Sequence, residues 1–146
     1  MATSDIRELT TDSEWRDAFS VVRQLRDHLD VAAYLDYLSE MREEGYRLFA
    51  VVADGEIVSV AGVAIRTNFY NGRHAFVYDL VTDADHRSDG YGTRLMQFLE
   101  SWARDRGCES ITLESGLWRE DAHRFYEERL GMERFCYTFK KELEPN

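Results

Sequence analysis

The sequence predicts one layered α/β (α+β) domain with its elements in the order β-αα-βββ-α-β-α-β. The length of 146 residues suits a single domain. Some segments place apolar residues at helical spacing, and others are short apolar runs of the β type. No repeat, linker or low-complexity stretch divides the chain. We therefore expect a single domain over residues 1–146.

The N-terminal half predicts a strand, two helices and then three strands joined by tight turns. Thr11 is an N-cap candidate for the first helix, and Gly45 ends the second. Asp54-Gly55 and Asn71-Gly72 are hairpin signals between the strands that follow. The predicted elements are a strand at Ile6–Leu9, helices at about 11–26 and Asp30–Glu44, and strands at Arg47–Ala53, Ile57–Ile65 and His74–Thr82.

The C-terminal half contains the clearest helix, Gly90–Arg106. Its apolar stripe comprises Leu95, Phe98, Leu99 and Trp102. A second helix is predicted at Asp121–Leu130, and each of the two is followed by a glycine. Strands are predicted at Ser110–Leu113 and, as the last element, at Phe135–Phe139.

Composition excludes several classes of function. The net charge is −10 and the isoelectric point about 4.8, which disfavours nucleic acid and anionic membrane surfaces as partners. No apolar run approaches a membrane span, and the polar start carries no signal-peptide core, so we expect a cytoplasmic protein.

Cys108 and Cys136 have no metal or redox spacing and are expected to be buried thiols. Lysine occurs only at Lys140 and Lys141, which fits a high-salt source or an arginine-rich codon usage.

The segment from Tyr78 to Met96 carries the chemistry. A strand, a polar turn and a glycine-spaced loop lead directly into a long amphipathic helix. Free amides and the positive end of the helix dipole meet there, and Gly90 and Gly92 leave room for phosphate oxygens. A tight turn that merely needs two glycines is the structural alternative. The loop is neither a Rossmann fingerprint, which needs a third glycine where Leu95 stands, nor a P-loop.

Arg87-Ser88-Asp89-Gly90-Tyr91-Gly92 resembles the Gln/Arg-x-x-Gly-x-Gly/Ala signature of the GNAT superfamily of acyl-CoA-dependent N-acyltransferases. Ala122 to Tyr126, followed by Leu130-Gly131-Met132, resembles the later Ala-x-x-Phe-Tyr…Gly-Phe segment of that family. The element order also agrees, so the resemblance covers essentially the whole chain. It implies a mixed, mostly antiparallel sheet that splays between the strand before the glycine loop and Ser110–Leu113.

The resemblance also implies acetyl-CoA as co-substrate, without a metal. The backbone would hold pantetheine as an added strand does, and loop amides would hold the pyrophosphate. The residues implied are Leu80, Val81 and Thr82 for pantetheine, and Arg87, Ser88, Asp89, Gly90, Tyr91, Gly92 and Thr93 for the phosphates. Asp89 departs from the Lys or Arg usual in the family, so Arg87, with Arg94 as a second candidate, must supply the positive charge.

The implied activity is acetyl transfer to a primary amine by direct attack. By the same resemblance, Tyr126 is the general acid near the thioester sulfur, and a backbone N–H near Val81 meets the oxyanion. A phenol with its ordinary pKa near 10 can donate a proton at neutral pH without tuning. Asp79 is a candidate base, directly or through water, or a structural hydrogen-bond acceptor, and Glu114 competes for the role of base. Strand alternation places Asp79 on the face of Val77 and Val81, where a carboxylate needs a partner.

The acceptor stays open at the level of sequence. An aromatic and acidic rim would suit a cationic amine, although ordinary helix packing with a solvated acidic face explains the same residues. The rim candidates are Trp15, Tyr34, Tyr37, Phe69 and Tyr70, with Asp30, Asp36 and Glu40. A small polyamine, an aminoglycoside, an amino acid and a peptide amine all fit. A non-catalytic acyl-CoA sensor domain is the alternative function, and a homodimer is compatible with the fold.

Overall fold

A five-stranded mixed sheet carries most of the fold in a computed structural model that describes residues 4–87 and 89–145. The chain divides into two units, Met1–Leu113 and Glu114–Asn146. The first unit contains β1 (Ser4–Leu9), α1 (Asp12–Leu25), α2 (Val31–Glu43), β2 (Arg47–Ala53), β3 (Glu56–Asn68), β4 (Gly72–Thr82), a 3₁₀ turn (Ala84–His86), α3 (Tyr91–Asp105) and β5 (Ser110–Leu113). The second contains α4 (Glu120–Arg124), which continues as a π-helical turn, Phe125–Arg129.

The sheet has the strand order β1-β2-β3-β4-β5. The first four strands pair antiparallel, and β5 pairs parallel with β4. Parallel pairing runs from His74 opposite Ser110 to Val77 opposite Leu113 and stops there. Among the described residues, Tyr78–Thr82 therefore have no strand partner on the β5 side. The predicted fold class is confirmed, and the sheet opens between β4 and β5.

Side chains cap the starts of two helices, and the cap at Thr11 is the one that the sequence predicts. At α1, the Thr11 hydroxyl accepts the Glu14 amide at 3.2 Å, and the Glu14 carboxylate accepts the Thr11 amide at 3.1 Å. The Thr10 backbone N–H also donates to Glu14 and lowers the pKa of its carboxyl. At α2, the Asp30 carboxylate accepts the Ala33 amide at 2.8 Å.

Helices cover both faces of the sheet in the first unit. On one face, α1 and α2 pack with strand residues in a single apolar cluster of Leu9, Ala18, Val21, Val22, Tyr34, Leu38, Tyr46, Leu48, Ala50, Val60 and Val81. On the other face, Phe49 of β2 contacts the rings of Phe98 and Trp102 of α3, with centroids 5.2 and 5.7 Å apart. The sheet is thus the middle layer of three.

The C-terminal segment departs from prediction. Residues 132–145 contain no strand, so the expected last strand at Phe135–Phe139 does not form in the described chain. An alternating aromatic pattern makes a strand only where a neighbouring backbone supplies hydrogen bonds. Cys136, in the same segment, is exposed rather than buried, while Cys108 is half-buried, and both are free thiols. No helix among the described residues has the length and apolarity to cross a bilayer.

Candidate active site

The glycine loop ends in a helix start that no described side chain caps. Gly90 is the N-cap of α3 and has φ = 84°, a left-handed conformation that favours glycine. Its carbonyl accepts the Arg94 amide at 3.0 Å, so the helix begins immediately. No described side chain caps the first-turn amides of Tyr91, Gly92 and Thr93. Such donors and the positive end of the helix dipole favour an anion.

The charged side chains around the loop differ in whether they already have partners within the protein. Arg94 is engaged, because its guanidinium donates to the Ser4 hydroxyl and, at 3.2 Å, to the Ser4 carbonyl. Arg94 is therefore set aside as a candidate phosphate ligand. Arg87 is exposed and makes one long contact, 3.4 Å from Nε to the Thr82 carbonyl. The Asp89 carboxylate lies 3.8 Å from His86 Nδ1. Ser88 lies outside the described residues.

The end of β4 supplies the backbone that the resemblance assigns to pantetheine. Leu80, Val81 and Thr82 pair with β3 on one side and have no described strand partner on the other. The Ser59 hydroxyl holds this end of β4, 3.2 Å from the Val81 carbonyl and 3.0 Å from the Thr82 hydroxyl. The edge is thus held from the β3 side, and its other side is able to accept a further extended segment.

A β-bulge in β4 sets the direction of Asp79. Asp79 lies opposite Gly62 and Val77 opposite Val63, so Tyr78 is one extra residue in the ladder. Val81 belongs to the α1–α2 cluster and Tyr78 packs against it, whereas Val77 is buried outside that cluster. Asp79 therefore shares a face with Val81 but not with Val77. Simple alternation predicts a shared face with both valines, and the prediction for Val77 is wrong because the bulge adds a residue between Val77 and Asp79.

Asp79 has two partners that the sequence analysis did not identify. Arg26, the C-cap residue of α1, donates from Nε to Oδ1 at 2.9 Å. The Tyr46 hydroxyl donates to Oδ2 at 2.6 Å. The Asp79 side chain is 14% exposed, so the expectation that this carboxylate needs a partner is confirmed. Burial, and then the Asp79 charge, raise the pKa of Tyr46 well above its ordinary value, which keeps the phenol a donor.

Gly62 makes the contact between Tyr46 and Asp79 possible. A Cβ on Gly62 would lie 1.6 Å from the Tyr46 hydroxyl oxygen and 2.1 Å from Cζ. The Tyr46 ring thus fills the space that any other residue would occupy. A glycine inside a strand often marks such a close approach, and this signal was available in the sequence between Ala61 and Val63.

Asp79 lies on the wall of a cavity of about 300 Å³. Four tyrosines and the Arg26–Asp79 pair line it together with aliphatic side chains of α1, α2 and β2, and exposed His28 lies at its rim. The tyrosines are Tyr34, Tyr37, Tyr46 and Tyr78.

The cavity contains only part of the predicted acceptor rim. Tyr34 and Tyr37 line it, but Trp15 does not, and Trp15 Nε1 donates to the Leu9 carbonyl at 2.9 Å. Phe69 and Tyr70 lie at the tip of the β3–β4 hairpin, outside the lining. The predicted rim acids are all exposed on or beside α2 and are also absent from the lining: Asp30, Asp36 and Glu40.

The second unit contains the other two candidate catalytic residues. Tyr126 lies in the π-helical turn, is 9% exposed, and its ring centroid is 5.9 Å from that of Phe125. The Tyr126 carbonyl accepts the Met132 amide at 3.0 Å. Glu114, directly after β5, is exposed. The described residues contain no cluster of His, Cys, Asp and Glu able to hold a metal ion.

Residues 8–132 match the model of the acetyltransferase (GNAT) family. The chain is 37% identical over 137 residues to an uncharacterized N-acetyltransferase, YhdJ, of Bacillus subtilis (strain 168), covering 93% of this chain and 96% of that protein. It is 24% identical over 145 residues to the aminoalkylphosphonate N-acetyltransferase of Salmonella typhimurium, covering 98% and 94%. Its structure is similar to an aminoglycoside N-acetyltransferase, AAC(6')-Iy, in complex with CoA, with a TM-score of 0.86, 18% identity and coverage of 99% and 97%.

Proposed function

Because the chain belongs to the GNAT family and is an acyl-CoA-dependent acetyltransferase, we propose that it transfers an acetyl group from acetyl-CoA to a primary amine of a small molecule or peptide. One observation carries this proposal. The open edge of β4, Tyr78–Thr82, is followed after a short loop by the start of α3, which no described side chain caps. An extended amide-containing arm that ends in phosphates matches these two features in that order.

The chain's own groups fit such a ligand. The backbone of Leu80, Val81 and Thr82 would pair with pantetheine as an added strand. The amides from Arg87 to Thr93, with Gly90 leaving an open approach, would bind the pyrophosphate. Arg87 is the guanidinium that we assign to the phosphates, since Arg94 is held by Ser4.

Acetyl-CoA, when bound, supplies the acetyl group as a thioester. We assign to Tyr126 the transfer of its phenolic proton to the departing sulfur, after which it regains a proton from solvent. Burial of its side chain in a π-helical turn supports this role, because such turns are frequent at functional sites. A backbone N–H near Val81 is assigned to the developing oxyanion.

Asp79 is assigned a positioning role. Both of its carboxylate oxygens already accept hydrogen bonds, one from Arg26 and one from Tyr46. A general base has to point at the proton that it removes, and this carboxylate is held by Arg26 and Tyr46 instead. We therefore assign removal of the amine proton to solvent water, and Glu114 remains available for this role because it is exposed.

The experiment is release of free thiol from acetyl-CoA with a panel of primary amines, together with calorimetric titration of CoA. We expect turnover with at least one amine, and a loss of roughly 100-fold or more in kcat for Tyr126→Phe at unchanged CoA affinity. Tyr137→Phe, which removes an exposed hydroxyl in the same unit, is the matched control. Tight CoA binding with no turnover for any amine would instead establish the acyl-CoA sensor domain.

A further inference from the structure

The cavity beside Asp79 presents four tyrosine rings, and three of their hydroxyl groups make hydrogen bonds within the protein. The Tyr34 hydroxyl donates to the Trp15 carbonyl at 2.7 Å, and the Tyr46 hydroxyl donates to Asp79. The Tyr78 hydroxyl accepts from Arg66 Nε at 3.2 Å. A guest therefore meets mainly ring carbon and aliphatic side chains, which favour apolar surface.

The charges on the cavity wall are already paired. Among the described residues that line it, the only carboxylate is Asp79 and the only guanidinium is Arg26, 2.9 Å apart. Arg26 Nη2 also donates to the Tyr78 carbonyl at 2.9 Å. A guest with several positive charges would lose hydration without gaining a free carboxylate, and Arg26 would repel it. An anionic guest would compete with Asp79 for Arg26.

The size of the cavity limits the guest further. About 300 Å³ lies at the lower end of the range of small-molecule sites. Tyr37 is 56% exposed, whereas Tyr34 and Tyr46 are buried. The two buried tyrosines are therefore fixed by packing, whereas Tyr37 is an exposed lining residue that can be truncated without disturbing the core.

We propose that this cavity binds the acceptor, and that the acceptor is a compact primary amine with an aromatic or apolar body and no second charged group. The inference rests on the proposed acetyl transfer. It also explains how the amine reacts, since only the uncharged form attacks a thioester and a cavity with its charges paired does not stabilise the ammonium form.

The test compares kcat/KM for phenethylamine, ethylamine, 2-aminoethylphosphonate, spermidine and kanamycin at one pH and one salt concentration. Phenethylamine should exceed ethylamine by roughly 10- to 100-fold, the range expected for burying a phenyl ring. It should exceed the phosphonate, spermidine and kanamycin by at least about tenfold. A preference for any of these three amines, each of which carries at least one further charged group, would overturn the proposal.

Two variants test whether the cavity determines the preference for phenethylamine over ethylamine. Tyr37→Ala should raise KM for phenethylamine by roughly fivefold or more and leave ethylamine nearly unchanged, because only the ring contacts Tyr37. Phe69→Ala removes an exposed aromatic ring at the hairpin tip, outside the cavity, and should change neither. Equal effects of the two variants would refute the cavity assignment. Thiol release from none of the amines, with CoA bound, would refute the proposed acetyl transfer itself.

Discussion

Substituting Gly62 by alanine should disconnect Tyr46 from Asp79. The new Cβ would lie 1.6 Å from the Tyr46 hydroxyl oxygen and 2.5 Å from Cε2, so the ring has to move. Tyr46 is buried and its hydroxyl is 2.6 Å from Asp79, and a ring held in this way cannot swing into solvent at low cost. Gly62 lies outside the left-handed region of φ, so the effect comes from space alone.

The magnitude follows from two losses. Overpacking a core costs about 1–3 kcal/mol, and a hydrogen bond to a charged group contributes about 1.5–3 kcal/mol. We expect Gly62→Ala to lower the free energy of unfolding by roughly 3 kcal/mol and Tm by roughly 6–12 °C. Urea unfolding followed by circular dichroism measures the first quantity, and a thermal scan measures the second.

A double-mutant cycle identifies the cause. In a Tyr46→Leu background the side chain stops short of the clash, and Gly62→Ala should then cost less than about 1 kcal/mol. If the alanine costs the same in both backgrounds, the close approach of Tyr46 is not what requires glycine at this position, and the reasoning fails.

Three further predictions concern Asp79, its partner and the loop. Burial and Asp79 raise the pKa of Tyr46 in the folded protein above the value of about 10 that a tyrosine has in an unfolded chain. The stabilisation that comes from this shift is therefore complete below about pH 10, and it is lost as the pH rises above that value. Tm should therefore fall in that alkaline range, and less steeply in Tyr46→Phe; identical slopes would contradict this. Asp79→Asn should lower Tm but reduce kcat by less than about tenfold, whereas a fall of 100-fold or more would make Asp79 the general base. Because the chain carries −10 and CoA is a polyanion, KM for CoA should not rise between low and moderate salt, and Asp89→Asn should lower it at low salt. A steep rise with salt would mean that local ion pairs dominate.

Local pattern was sufficient for most of the fold. The Thr11 cap and the glycine loop at Gly90 depend on neighbours within four residues, and each lies where the sequence predicts. Short motifs were sufficient to predict the family, because those motifs encode a strand, a loop and a helix that follow one another directly.

The network around Asp79 depends on distant parts of the chain and was not predicted. Arg26 lies 53 residues from Asp79, and Tyr46 lies 33 residues away. No periodicity relates residues so far apart. The bulge at Tyr78 also reverses the face that alternation assigns relative to Val77, since an extra residue shifts the side-chain period of two.

The bulge at Tyr78 changes which side chains of β4 face the α1–α2 cluster. Before the bulge, the Phe76 ring packs edge-to-face against the Tyr78 ring, with centroids 4.7 Å apart, and Val77 is outside the α1–α2 cluster. After the bulge, Asp79 and Val81 lie on the face of the sheet that the α1–α2 cluster covers. Deleting Tyr78 would restore a regular ladder, but the strand would then lose one of the two adjacent side chains that line the cavity. The extra residue thus allows Tyr78 and Asp79, which are adjacent in the chain, to line the same wall of the cavity.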